Sequence, residues 1–143
     1  MLILFYLAIF LGATLLFVLE PMFGKMALPL LGGSPALWNT CMVFYQGALL
    51  AGYFYAHMAP KWLGVRRQAA FHLGLLLVIL FSLPIRIFHG WTPPTTANPV
   101  AWLLLLLLLS VGFPFFVVST TAPLLQKWFA HTGHTSAHDP YFL

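Results

Sequence analysis

The chain has almost no negative charge and almost no cysteine. Its 143 residues include only two carboxylate side chains, Glu20 and Asp139, which lie far apart in the sequence. A catalytic pair of carboxylates therefore cannot be formed from neighbouring residues of this chain. The single cysteine, Cys41, excludes an intrachain disulfide and a cysteine-rich metal cluster. We expect no enzyme activity and no cofactor in this chain.

Charge of either sign is scarce as well. Charged residues make up 6% of the chain, hydrophobic residues 62%, and the mean hydropathy is +0.95. A soluble domain of this size could not bury so much apolar surface. The net charge of +4 comes without a basic run interleaved with stacking aromatics, which argues against nucleic acid as a partner. The composition predicts a protein whose main partner is membrane lipid.

Four long apolar stretches dominate what is present, at residues 2–19, 36–58, 69–88 and 100–118. Each is close to the roughly 20 residues that a helix needs to cross a bilayer. The predicted fold class is all-α, a polytopic membrane protein with about four transmembrane helices. Gly112 and Pro114 predict a bend in the last helix, and residues 121–130 either continue it or lie at the interface. Residues 1–130 then form one membrane domain, and 131–143 a polar tail or linker.

The basic residues between the stretches predict the topology. Lys61, Arg66, Arg67 and Lys127 fall on the side of the N-terminus, and Lys25 and Arg86 fall opposite. Basic residues resist translocation, so both termini are expected on the cytoplasmic side. We expect Lys61, Arg66 and Arg67, in the loop of residues 61–68, to anchor the chain to lipid headgroups.

Residues 20–35, EPMFGKMALPLLGGSP, separate the first two stretches. This segment is too apolar for a solvated loop and too rich in proline and glycine for an uninterrupted helix, so an interfacial segment is predicted. Glu20 and Lys25 are the candidate ion pair for transport, because an ionisable group at the edge of an apolar helix is costly unless it is paired. The alternative is that Glu20 only marks a helix end.

Small residues recur at intervals of four in the second stretch: Gly47 and Ala51, then Ala48, Gly52 and Ala56. Such spacing allows two membrane helices to approach closely. The pattern predicts a packing face for another helix, although glycine is also common in membrane helices generally.

Polar side chains in the same stretch have two possible roles. Trp38, Asn39 and Gln46 would line a polar cavity together with Glu20, or would form hydrogen bonds between helices.

The histidines are weak candidates for metal or haem. His131, His134 and His138 have a spacing that a helical tail could use for a metal ion, but their Thr, Ser and Gly neighbours favour a linker. His57 and His72 could hold a haem between helices; interfacial histidines are the simpler interpretation.

Several segments together resemble one family. They are ALWNTCMVFYQ at residues 36–46, which follows the segment at 20–35, then GYFYAH at 52–57, GFPFF at 112–116, STTAPLLQKWFA at 119–130 and DPYFL at 139–143. The chain resembles the N-terminal transmembrane region of bacterial fused major-facilitator and spermidine-synthase-like proteins. The resemblance implies a facilitator-like partial bundle in the bacterial inner membrane, followed in the family by an aminopropyltransferase-like domain. The glycine motif of that domain is missing here, and the loop at residues 61–67 lacks the acidic residue expected of a facilitator loop.

We therefore expect a non-enzymatic membrane protein that packs with other membrane subunits or with the remainder of a longer chain. Two alternatives stay open. One is a structural accessory subunit of a larger respiratory or photosynthetic complex, and the other is a membrane anchor for a downstream aminopropyltransferase-like domain.

Overall fold

A computed structural model describes residues 2–31, 34–85, 92–93, 98–139 and 142 of the chain, and these residues are mostly helical, with no strand among them. The all-α prediction is confirmed for this part of the chain. The elements are α1 (Leu2–Leu31), α2 (Pro35–Leu63), α3 (Val65–Ser82), α4 (Pro99–Leu107), a π-helix (Leu108–Gly112), α5 (Phe113–Ser119), α6 (Thr121–Phe129) and a 3₁₀ turn (Thr135–His138).

The first helix is much longer than predicted. The expected interfacial segment at residues 20–31 is the second half of α1, which contains Pro21 and Pro29. Each proline removes one backbone hydrogen bond without ending the helix. The apolar residues around them explain why the helix continues, because Phe23 and Ala27 are fully buried against the rest of the bundle. The prediction of a non-helical segment was wrong as far as Leu31, and Gly32 and Gly33 lie outside the described residues.

The predicted loop at residues 61–68 is a single residue. Gly64 alone separates α2 from α3, with φ 74° and ψ 155°, a conformation that residues with a side chain rarely adopt. Consequently α2 extends beyond the predicted end at residue 58, and α3 begins before residue 69 and ends at Ser82. The end predicted for the third stretch, including Arg86, lies outside the described residues. Ser34 caps α2 as predicted, accepting a hydrogen bond from the Leu37 amide, with Pro35 in the first turn.

Elements α4 to α6, with the π-helix between α4 and α5, form one rod from Pro99 to Phe129, the last rod of the chain. Its α-helix changes to a π-helix where a bend was expected. The π-helix occupies Leu108–Gly112 and is followed directly by α5, with Pro114 in its first turn. Since Pro114 has no N–H, the ordinary helical hydrogen bond cannot form there. Thr120 then separates α5 from α6, where the Thr120 hydroxyl donates to the Val117 carbonyl at 2.7 Å. Residues 121–129 thus continue the rod as α6.

The last rod lies at the centre of the bundle and is therefore also its central rod. Its segment α5 packs against α1, α2 and α3, while α4 packs against α2, and α6 packs against α1. The core contains Phe23, Ala27, Leu37, Cys41, Tyr45, Leu103, Leu106, Leu107, Val111 and Phe115. These residues come from α1, α2 and the last rod, so the core lies between those three rods.

The chain after α6 folds back onto the start of α1. The Phe142 ring stacks on Phe129 with centroids 5.9 Å apart and lies 6.3 Å from the ring of Tyr6. Ala137, in the 3₁₀ turn, is buried. Phe142 and the 3₁₀ turn, which belong to the predicted polar tail or linker at residues 131–143, thus pack against the bundle.

Two helical rods among the described residues are long and apolar enough to cross a membrane, Leu2–Leu30 and Pro99–Phe129. They differ in burial. The most apolar part of the first rod has almost no buried residue, whereas 44% of the corresponding part of the second rod is buried. The first rod therefore exposes an apolar surface to its surroundings, and the second rod fills the interior of the bundle.

Candidate functional site

The main cluster of buried polar side chains lies where α3 meets α5 and α6. Gln68, His72, Ser119 and Thr120 are each at most 1% exposed. Gln68 and His72 are four residues apart on α3, which places both on one face of that helix. The cluster therefore faces the central rod rather than the outside of the bundle.

Trp128 fixes the orientation of Gln68. The indole Nε1 of Trp128 donates to Gln68 Oε1 at 2.8 Å. Because an indole N–H can only donate, the carbonyl oxygen of the amide must face it. The amide nitrogen then points elsewhere, and Gln68 Nε2 has no hydrogen-bond partner in the structure.

Thr120 lies beside His72 in the cluster. The Thr120 hydroxyl donates to the Val117 carbonyl, and its oxygen lies 3.5 Å from His72 Nδ1. A proton on Nδ1 suits this arrangement, in which Nε2 of the neutral ring is an acceptor. Nε2 has no partner, while the ring lies edge-on to Trp128 at 6.0 Å.

The cluster thus holds one unused donor, on Gln68, and one unused acceptor, on His72. Buried polar atoms without partners cost free energy, so proteins rarely leave two of them on one helix face. Hydrogen bonding to a small polar group is the chemistry that this arrangement supports.

The predicted pair of Glu20 and Lys25 does not form. Both residues lie on the unbroken helix α1, where a separation of five places side chains on different sides. Lys25 is exposed, whereas Glu20 is half-buried and lies within electrostatic range of Tyr45. The Tyr45 hydroxyl is buried and has no hydrogen-bond partner. The structure therefore brings Glu20 to α2 and leaves Lys25 apart from it.

The small residues of α2 lie on two different faces of the helix, one buried and one exposed. Gly52 and Ala56 are buried, and a Cβ at Gly52 would overlap the Ser119 hydroxyl and lie 3.2 Å from Thr120 Cγ2. Gly47 and Ala51 are exposed, and a Cβ at Gly47 would meet nothing within 4 Å. Ala48 is half-buried between the two sets. Gly52 therefore permits close contact of α2 with α5, while Gly47 leaves a surface open.

That open surface is a groove of about 580 Å³ between α2 and the central rod. Apolar and small side chains line it: Val43, Phe44, Gly47, Ala48, Ala51, Leu104, Leu108, Gly112, Phe113 and Phe116. Two glycines face it, one from each wall. The absence of their side chains is what gives the groove its depth.

The three residues of the predicted polar cavity are not grouped around one space. The Trp38 ring packs on α1, where a Cβ at Gly24 would lie 2.9 Å from Trp38 Cζ3. Asn39 and Gln46 lie exposed on the outer side of α2. Trp38 thus acts in packing between α1 and α2, and the two amides face away from the bundle.

Four of the six basic residues, Lys61, Arg66, Arg67 and Lys127, gather at one end of the bundle, while Lys25 lies toward the other end of α1. Lys61, Arg66 and Arg67 are exposed on either side of Gly64. The start of α3 reaches the end of α6 through Gln68 and Trp128, and the start of α1 reaches it through Phe5 and Phe129, whose rings are 5.4 Å apart. The N-terminal end of α1, the α2–α3 junction and the end of α6 therefore lie together.

The tail histidines do not converge. His131 Nδ1 lies 2.8 Å from the Lys127 carbonyl, and His134 Nδ1 accepts from the Ser136 amide at 3.2 Å. Among the described residues no group of three or more His, Cys, Asp or Glu side chains is placed to hold a metal ion. His57 is exposed, with its Nε2 2.8 Å from Lys61 Nζ, while His72 is buried on α3.

The buried cluster was not predicted from the sequence. Gln68 was expected in a loop and His72 at an interface. The available signal was the spacing of four between the two residues in an otherwise apolar stretch. The contribution of Thr120 and Trp128 comes from elsewhere in the chain, 48 and 60 residues away, and no local pattern reveals it.

Comparison of the chain with protein-family models, curated proteins and solved structures finds no match.

Proposed function

We propose that this chain is a non-enzymatic membrane domain that packs with further membrane helices. The observation that carries the proposal is the outer surface of α1. Ile3, Leu4, Phe10 and Phe17 are 71%, 69%, 68% and 77% exposed. Water would make such a surface costly, since apolar patches of this extent on monomeric soluble proteins are rare. Hydrocarbon is the solvent that this surface suits.

The other rods support the same setting. Large apolar side chains are also exposed on α2 and α3, including Leu50 at 72% and Phe81 at 90%. The rods alternate in direction, and Lys61, Arg66, Arg67 and Lys127 lie at the end that holds the start of α1, whereas Lys25 lies toward the other end. That arrangement suits a bundle that spans the membrane with this end in the cytoplasm. The resemblance to transporter-like fusions with spermidine-synthase-like proteins assigns the bacterial inner membrane, and makes anchoring of a downstream domain an alternative role.

Alkaline carbonate extraction of membranes that contain the chain tests the proposal. The chain should stay with the lipid, and detergent should release it. A substitution pair sharpens the test, because Phe17 and Trp62 are 77% and 79% exposed. A lysine at position 17, in mid-helix, should reduce insertion by about 2.5–3.5 kcal/mol, whereas one at position 62, among the basic residues, should have little effect.

A water-soluble protein would give the opposite results. Carbonate would strip the chain from vesicles, and Phe17→Lys and Trp62→Lys would have the same small effect. Either result would contradict the proposal.

A second candidate function is that of an accessory subunit in a larger membrane complex. The groove between α2 and the central rod favours it, because small residues on both walls let another helix approach closely. Filling the groove with Gly47→Leu should release the chain from such a complex in mild detergent without unfolding it. Unchanged co-migration of the variant with the complex would argue against this role for the groove.

A further inference from the structure

The outer side of α2 has a regular pattern that the fold does not use. Its exposed residues repeat at alternating intervals of four and three: Asn39, Val43, Gln46, Leu50, Tyr53 and His57. We call these six residues the outer stripe. Spacing of this kind keeps one face of a helix turned toward a partner helix over several turns. The outer stripe therefore has the form of a helix-packing seam.

The outer stripe lies opposite the face that α2 buries in its own bundle. Val43, Leu50 and Tyr53 are 65%, 72% and 55% exposed. The buried residues of α2 form a separate face: Leu37, Thr40, Cys41, Tyr45, Gly52, Ala56, Ala59 and Pro60. Nothing in the described part of the chain covers the outer stripe.

The two amides make the outer stripe unsuitable for lipid. Given the proposed membrane location, on which this inference rests, Gln46 lies eleven residues from the start of α2, or about 16 Å along the helix axis. Gln46 therefore cannot easily reach the headgroups. An amide in hydrocarbon without a hydrogen-bond partner is costly, and such side chains in membrane helices usually bond across to another helix.

We infer that a second copy of this chain docks on the outer stripe, so that two α2 helices pack in parallel about a two-fold axis. A side-chain amide both donates and accepts hydrogen bonds. In a parallel symmetric pair, each residue of the outer stripe meets its own counterpart at the same depth. Gln46 then pairs with Gln46 of the second copy, and Asn39 with its counterpart, without any unlike partner.

The uncharged character of the outer stripe supports an identical partner. From Asn39 to Tyr53 the outer stripe has no charged side chain, so two copies do not repel each other. The first basic residue beyond it is Lys61, whose Nζ lies 2.8 Å from His57 Nε2. At that end the Lys61 side chains of the two copies have the same charge. Water and lipid phosphates can screen the repulsion between them. The contact thus extends from Asn39 to about His57.

Cysteine cross-linking in native membranes tests the inference. Leu50 on the outer stripe and Val78 on α3 are equally far along the chain from Gly64 and are 72% and 53% exposed. They therefore lie at similar depth in a helical hairpin. With the buried native thiol removed by Cys41→Ala, Leu50→Cys should form a disulfide-linked dimer under oxidation, and Val78→Cys should not.

A second measurement tests the amides. Energy transfer between labelled copies in vesicles gives the dimer affinity as the protein is diluted in lipid. Gln46→Leu should weaken the dimer about tenfold, as expected for the loss of a symmetric pair of interhelical hydrogen bonds. Gln126→Leu is the control, because Gln126 is an exposed glutamine on α6 outside the outer stripe.

Three results would overturn the inference while leaving the membrane location intact. They are equal cross-linking at positions 50 and 78, a monomer in lipid, and reaction of Leu50→Cys with a water-soluble maleimide, which would mean that the outer stripe lines a hydrated cavity. Loss of the chain on carbonate extraction would instead contradict the membrane location itself.

Discussion

Residues of the same type face the interior of the bundle in one place and the outside in another. On α2, Tyr45 is 2% exposed and Tyr53 is 55% exposed. Gly52 is buried and Gly47 is exposed, and among glutamines Gln68 is buried and Gln46 is exposed. The inward-facing residue of each pair fills space in the core or bonds to the central rod. The outward-facing residue of each pair leaves a surface that another helix could use. Position around the helix, more than residue type, thus determines what each side chain does.

The tyrosines should give the largest contrast. Tyr45 packs on Phe115 with ring centroids 4.8 Å apart, so Tyr45→Ala would leave a cavity in the core. The free energy of unfolding in micelles should fall by about 3–5 kcal/mol. Tyr53→Ala should change it by less than about 0.5 kcal/mol, because Tyr53 is largely exposed.

A third tyrosine variant separates packing from polarity. The buried Tyr45 hydroxyl has no hydrogen-bond partner, so Tyr45→Phe should leave the stability unchanged or raise it slightly. A loss comparable to that of Tyr45→Ala would mean that the hydroxyl bonds to a group that the structure does not show. Equal losses for Tyr45→Ala and Tyr53→Ala would contradict the division of α2 into two faces.

The glycines should give a smaller contrast. In Gly52→Val the new side chain would collide with Ser119 and Thr120 and would push α2 away from α5. Overpacking of this kind costs about 1–3 kcal/mol. Gly47→Val has open space around it, and should leave the unfolding free energy nearly unchanged. If both variants unfold equally easily, the close approach of α2 to α5 at Gly52 is not what stabilises the contact.

Part of this fold could be predicted from the sequence. Apolar stretches of this length favour helices, because a helix satisfies its backbone hydrogen bonds within one segment, and the all-α class is confirmed for the described residues. The end of α1 was predicted wrongly because Pro21 and Gly24 usually interrupt helices. Here Gly24 instead receives the Trp38 ring, a contact between α1 and α2 that local sequence does not reveal.

The sequence also could not show that the small residues of α2 point in two different directions. The spacing of a packing face is shared by Gly47, Ala48, Ala51, Gly52 and Ala56, and it predicts one broad face. A helix turns by about 100° per residue, so adjacent residues such as Ala51 and Gly52 point in different directions. Which direction meets the central rod depends on how α5 is placed, and that is a long-range property.

The glutamines should give the smallest contrast and separate the two kinds of polar site. Gln68→Leu removes the acceptor for the Trp128 indole N–H and leaves that donor without its partner, so the unfolding free energy should fall by about 1–2 kcal/mol. Combining it with Trp128→Phe should recover part of the loss, since both ends of the hydrogen bond are then removed. Gln46→Leu should not alter the unfolding of the monomer, because its exposed amide has no hydrogen bond to any residue that the structure describes. A loss of monomer stability in Gln46→Leu equal to that in Gln68→Leu would show that Gln46 has a partner inside its own bundle, and the outer stripe would then lose the unpaired amide on which docking of a second copy depends.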